Sequence, residues 1–183
     1  MRIGVIAVGN VLQGDDAVGP HVLAVLRAGH ELPPEVETID AGTPGLDLSA
    51  YLEGFDAAVV IDAVRARGRP GEVRRYSRDE LLAVPKAGPT LSPHDPGLAD
   101  AVRTLAFHGR GPAELVLVGV IPGRIETRLG LGTFVREAVP AAVGAVVDEL
   151  SRLGVAVPPK APPEEPDLWW ERAASVPAPG GRS

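Results

Sequence analysis

The chain has 183 residues, 45% hydrophobic and 23% charged, a composition that fits one globular domain with a core of its own. Its formal net charge of -6, with no long Lys/Arg cluster, argues against nucleic-acid binding, which wants a basic stripe. Cysteine is absent, which excludes disulfides, thiolate metal ligands and a cysteine nucleophile and leaves carboxylate, imidazole or backbone oxygen for any metal.

The opening, MRIGVIAVGN, is too short to span a membrane and lacks a signal-peptide cleavage pattern, so a cytoplasmic protein without membrane attachment is expected. Residues 3–8 (IGVIAV) read as a buried parallel strand. The loop VGNVLQGDDAVGP follows, with two adjacent acids, Asp15 and Asp16. Pro20 suits the first turn of a helix whose apolar face is Val22, Leu23, Val25 and Leu26 and which Gly29 can end. Residues 35–40 (EVETID) form a second strand, and a helix around 45–53 carries Leu46, Leu48 and Leu52. Residues 56–62 (DAAVVID) form a third strand, again ending in an acid.

Residues 72–76 (EVRRY) suggest an exposed strand near an edge. Residues 77–93 read as loop with one helical turn, because Pro85, Gly88, Pro89 and Pro93 interrupt them. A helix is expected from near Asp95 and Pro96, with Leu98, Ala101, Val102 and Leu105 on one face and Gly109 as its stop. Residues 114–121 (ELVLVGVI) are the clearest strand. A last helix spans about 133–153, with Thr133 as N-cap and Pro140 expected to kink or break it.

Strands alternate with helices, which argues an α/β fold with a mainly parallel sheet and helices on both faces. Residues 1–157 make one domain, and the proline-rich residues 158–183 are expected to form a flexible or surface-draped tail. Trp169 and Trp170 stand out in it, as a patch packed on the domain or as a docking motif.

Common signatures are missing. No P-loop, GxGxxG, HExxH or GxSxG is present, so nucleotide binding and the usual hydrolase machineries have no support and no nucleophile can be named. The chemistry-bearing feature is a set of acids at strand ends: Asp15 and Asp16 after the first strand, Asp40 after the second and Asp62 after the third. In a parallel sheet these point toward one edge, where ligands bind. The segment TLSPHDPG brings His94 toward the same edge. Two carboxylates and an imidazole suit a borderline divalent metal such as nickel or zinc and leave positions open for substrate. A bland reading stands beside each: an acid after a strand is commonly a turn former or helix cap, and His94 a helix-entry residue. His21, His30 and His108 lie on or at the ends of helices and read as structural.

Taken together, IAVGNVLQGDDAVGP, IDAGTPGLDL, VVIDAV, LSPHDPGLADAV and ELVLVGVIP resemble the maturation endopeptidases of NiFe-hydrogenases, in order through about residues 2–155. The resemblance implies a three-layer α/β/α sandwich with a mainly parallel twisted sheet. It implies an endopeptidase that removes a C-terminal extension from the hydrogenase large-subunit precursor once nickel is in place. The metal is then supplied by the substrate, held there mainly by cysteine thiolates, with no organic cofactor. Nickel recognition maps onto Asp16, Asp62 and His94, and substrate recognition onto Asp40, Gly42 and Thr43; Asp16 or Asp62 is a candidate general base. A non-catalytic chaperone for the same precursor is the alternative.

Two glycines of the family pattern are replaced, by Ala7 and Ala41. Ala41 would be strained by about 1 kcal/mol if its position needed positive φ. Asp15 reads as a loop former or helix-start residue. Repulsion between Asp15 and Asp16 is expected to leave their loop strained or mobile until a divalent ion arrives.

Overall fold

The computed structural model describes residues 1–83 and 97–173. Five strands form one sheet: β1 (Ile3–Ala7), β2 (Val36–Asp40), β3 (Ala57–Ala63), β4 (Val73–Ser77) and β5 (Glu114–Val120). Their order is β2-β1-β3-β5-β4, parallel except for the edge strand β4, which runs antiparallel to β5. β1 and β3 are buried along their whole length, in keeping with their apolar runs, which in β3 only Asp62 interrupts. β4 alternates and stays half open, in keeping with its place at the rim.

The pleat divides the core into two. Ile3, Val5 and Ala7 of β1, with Val59 and Ile61 of β3, face α1 (Val18–Gly29) and α5 (Thr133–Arg152). Ile6, Val60, Leu115 and Leu117 face the other way, onto α2 (Leu48–Leu52), α3 (Arg78–Ala83) and α4 (Leu98–His108). The expected α/β/α sandwich is the observed one. Gly109 closes α4 with φ 65°, the left-handed cap that ends helices cheaply.

Two expectations about α5 need correction. Pro140 does not break the helix, which runs continuously from Thr133 to Arg152. Its ring sits on the solvent side, while Val139, Ala142 and Val143 hold the flanking turns to the core. Thr133 is the first helical residue, not the cap; Gly132 takes the cap position in an extended conformation. The expected start of α4 at Asp95 and Pro96 falls outside the described residues.

The described part of the tail lies on the domain surface. Residues 158–173 are seated on α1 and end in a short helix, α6 (Trp169–Ala173). The Glu31 N–H donates to the Pro158 carbonyl (2.9 Å), the Lys160 N–H to the Gly29 carbonyl (2.8 Å) and the Glu164 N–H to the Ala28 carbonyl (2.9 Å). Trp170 is buried against the His21 ring, edge to face at 5.1 Å. Glu171 accepts from His21 Nε2 at 2.9 Å and from Arg136 at 3.1 Å. A low-hydrophobicity segment is thus held by a few specific anchors, which composition alone does not reveal. Of the two tryptophans, one packs and one, Trp169, stays 57% exposed.

The first turn of α1 lies hard against the sheet. A Cβ on Gly19 would overlap the Val8 carbonyl oxygen and stand 2.7 Å from that of Ile61. Gly19→Ala should destabilise the fold by about 1–3 kcal/mol, seen as a lower urea midpoint at unchanged m.

Burial pushes the Glu171 carboxyl upward, but its bonds from His21 and Arg136 outweigh that and hold it below the ordinary value of 4.5. A depressed folded value means the clasp contributes stability above 4.5 and loses it as pH falls through the folded value. Both tryptophans lie in the tail, so indole emission reports its seating. Acid titration should shift that emission before the core unfolds, and Glu171→Gln should abolish the separate step.

Candidate functional site

The chain leaves β1 for β2 on one side and crosses to β3 on the other. The carboxyl ends of β1 and β3 therefore flank the point where strand order reverses, which is where open α/β sheets bind ligands. After β1 the chain turns through Gly9, whose φ of 147° is open to glycine, and a Cβ there would overlap the Asp16 carbonyl oxygen. A 3-10 turn, Gly14–Ala17, then carries both acids and packs against β3. The Val8 N–H donates to the Ile61 carbonyl at 2.9 Å, so the loop continues the sheet edge up to the residue before Asp62.

Asp15 and Asp16 are both buried, and they do different work. The Asp15 carboxylate accepts three backbone N–H groups from distant chain: Gly123 (2.8 Å) and Arg124 (2.9 Å) on Oδ2, and Gly132 (2.6 Å) on Oδ1. It ties the first loop to the segment after β5 and to the cap of α5. That explains why Gly132 and not Thr133 is the cap residue: its N–H is taken by a carboxylate, much as in a capping box. Asp16 Oδ2 accepts the Asn10 N–H at 2.8 Å across its own loop.

The expected strain is not found. Among the described residues, positive φ occurs only at glycines, and each acid has backbone donors of its own. Amide donors stabilise adjacent charges without a metal.

Asp62 is 3% exposed, near the end of β3 among Val60, Ile61, Ala63 and Val64, and accepts the Ala63 N–H at 2.8 Å. By the pleat it shares the face of Val60, toward α4. A carboxylate in an otherwise apolar central strand costs desolvation unless it is hydrogen-bonded. His94 lies outside the described residues. Among the described residues no three His, Asp or Glu form a group that would hold a metal.

Asp40 ends β2, paired in register with Ala7, and is exposed. Its Oδ1 accepts the Gly42 N–H at 3.0 Å, which sets the turn. Gly42 has φ 58° and its carbonyl accepts the Gly9 N–H at 2.8 Å, so this turn is hung on the first loop. Ala41 does not have positive φ, so alanine costs no strain there, and the Ala41 N–H donates to the Ala7 carbonyl at 2.9 Å. Thr43 is exposed beside it. Asp16, Asp40 and Asp62 thus gather at one sheet edge.

His21 is structural, as read from the sequence: Nδ1 is 3.0 Å from the Ala17 carbonyl and Nε2 meets Glu171. The sequence reading missed the reach of Asp15. The glycines at 123 and 132 were the available signal, since a Cβ at either would crowd its carboxylate at 3.0–3.1 Å.

The family model of the hydrogenase maturation proteases matches residues 20–149. The chain belongs to that family. It is 35% identical over 161 residues to the hydrogenase 2 maturation protease of Escherichia coli K12, covering 87% of this chain and 97% of that one. The solved structure of the E. coli hydrogenase maturating endopeptidase HybD matches with TM-score 0.79 at 35% identity, over 88% of this chain and 99% of that chain. The HybD maturation protease of Thermococcus kodakarensis matches with TM-score 0.64 at 26% identity, over 82% and 99%. This chain is a hydrogenase maturation endopeptidase, a peptide-bond hydrolase. No helix among the described residues is long and apolar enough to cross a membrane.

Asp15→Ala would leave three amide donors unmatched and should cost roughly 3 kcal/mol or more. Asp15→Asn should cost less, because one carbonyl oxygen remains, yet its amide NH2 faces further N–H groups. Urea titrations of the two variants read the difference.

Proposed function

We propose that this endopeptidase removes the C-terminal extension of a nickel-loaded NiFe-hydrogenase large-subunit precursor. The observation that carries the reading is two buried carboxylates, Asp16 and Asp62, on neighbouring elements at the switch-point edge of the sheet. Buried acids at a ligand-binding edge are suited to a cation brought by the substrate. With His94 they make a set of hard and borderline donors able to complete a nickel shell that the precursor's thiolates begin. Asp40, Gly42 and Thr43 flank that edge and would meet the precursor chain. The exposed Leu12, on the loop between Asn10 and Gly14, offers it an apolar contact.

Loaded nickel would anchor the precursor and so position the scissile bond; an empty precursor lacks the anchor. The bond would be cleaved by water, activated by the metal or by Asp16 or Asp62 as general base. The peptide carbon gains the hydroxyl, and the leaving nitrogen gains the proton.

The test is intact-mass analysis of the protein incubated with nickel-loaded and nickel-free precursor. Cleavage is expected of the loaded form alone; binding without cleavage would instead support a chaperone. His94→Ala, Asp16→Asn and Asp62→Asn should each slow cleavage by at least about 100-fold at unchanged circular dichroism. Normal processing by any of the three would remove that residue from the site.

A further inference from the structure

The tail helix reaches the substrate edge. A hollow of about 380 Å³ runs from Gly9–Val11 to Asp40–Thr43, and Trp169 forms one wall of it. A second, of about 250 Å³, lies between α1 and the tail, lined in part by Arg27, Asp40, Glu164, Glu165, Asp167 and Trp169. Asp40 and Trp169 belong to both, so the indole stands on the ridge between them.

Trp169 is presented, not packed. Its neighbour Trp170 makes the anchor at 3% exposure, and the two rings meet edge to face at 5.7 Å. The His21–Glu171–Arg136 clasp fixes the helix immediately after it. A rigidly held, exposed indole offers a large contact area at little entropic cost.

The surroundings choose what it contacts. Glu164 is matched by Lys160 at 2.8 Å and Asp167 by Arg172. Arg27 is turned onto Thr38, donating to Oγ1 at 2.8 Å and to the carbonyl at 2.7 Å. Among the described residues no cation pairs with Asp40 or Glu165. An indole face beside two unmatched carboxylates fits an ammonium or guanidinium group on an aliphatic stem.

We propose that Trp169, with Glu165 of the same tail, is a specificity-determining subsite that takes a lysine or arginine side chain of the precursor as it passes Asp40–Thr43. The subsite rests on the proposed processing reaction. The tail lies beyond the 20–149 stretch matched by the family model.

The experiment uses the full chain and nickel-loaded precursor. Trp169→Ala should raise KM about tenfold with kcat within about twofold, the size of a desolvated cation–π contact. Trp169→Phe should recover most of the loss, and Glu165→Gln should raise KM severalfold. Replacing each Lys or Arg in the precursor's C-terminal segment by Gln should reveal one whose loss raises KM for the wild-type enzyme but adds nothing in Trp169→Ala. Unchanged KM in Trp169→Ala, or a loss shared equally by every charge variant, would overturn the subsite. If the wild-type protein leaves the loaded precursor uncut, the reaction fails, and precursor affinity measured by calorimetry on the same variants still decides the subsite.

Discussion

One carboxylate holds the working edge together. Asp15 gathers N–H groups from Gly123, Arg124 and Gly132, three positions more than a hundred residues away along the chain. Charge-assisted bonds of this kind are about twice as strong as neutral ones, and they fall where a sheet edge has no ladder bonds left to give. The loop after β1, the segment after β5 and the cap of α5 are therefore tied to one another. Asp16 lies one residue along, with its own clasp to Asn10. The place of its turn beside β3 follows from its neighbour's anchorage.

The same constraint accounts for the division of labour within the acidic pair. Two adjacent carboxylates in a buried turn are tolerable only if both are solvated by something, and water is excluded at 4% and 1% exposure. Backbone amides supply that solvation to Asp15 entirely from outside its own loop. The pair thus combines a carboxylate anchored to distant chain and one clasped within its own loop in consecutive positions.

Periodicity made most of the frame legible. Apolar runs announced β1, β3 and β5 as strands, the charged EVRRY run announced β4 as an edge, and Gly109 and Pro20 punctuated their helices as read. These signals are local, set by burial and backbone sterics within a few residues. The acids at the sheet edge were legible for the same reason: a parallel sheet points its strand ends one way. What stayed hidden was non-local. The bonds of Asp15, the capping of α5 by Gly132 and the clasp of Glu171 on His21 join positions 108 to 150 residues apart or swap one cap for its neighbour, and no spacing rule encodes them. Pro140 was misjudged because a single proline on the solvent face costs one helix bond, while the buried face of a twenty-residue helix repays it many times over.

The absence of cysteine gives the site its last constraint. Under the proposed reading the soft ligands belong to the precursor, and this chain adds only oxygen and imidazole donors. Such donors on their own hold nickel weakly and select poorly among divalent ions. Selectivity then comes from the combination, since only a metal already seated in thiolates would present an open face to Asp16, Asp62 and His94. A rigid edge suits that role better than a mobile one. A carboxylate fixed by Asp15's anchorage can test whether a metal stands in the right place, whereas a loop free to follow the ligand would accept an ill-placed ion as readily as a correct one.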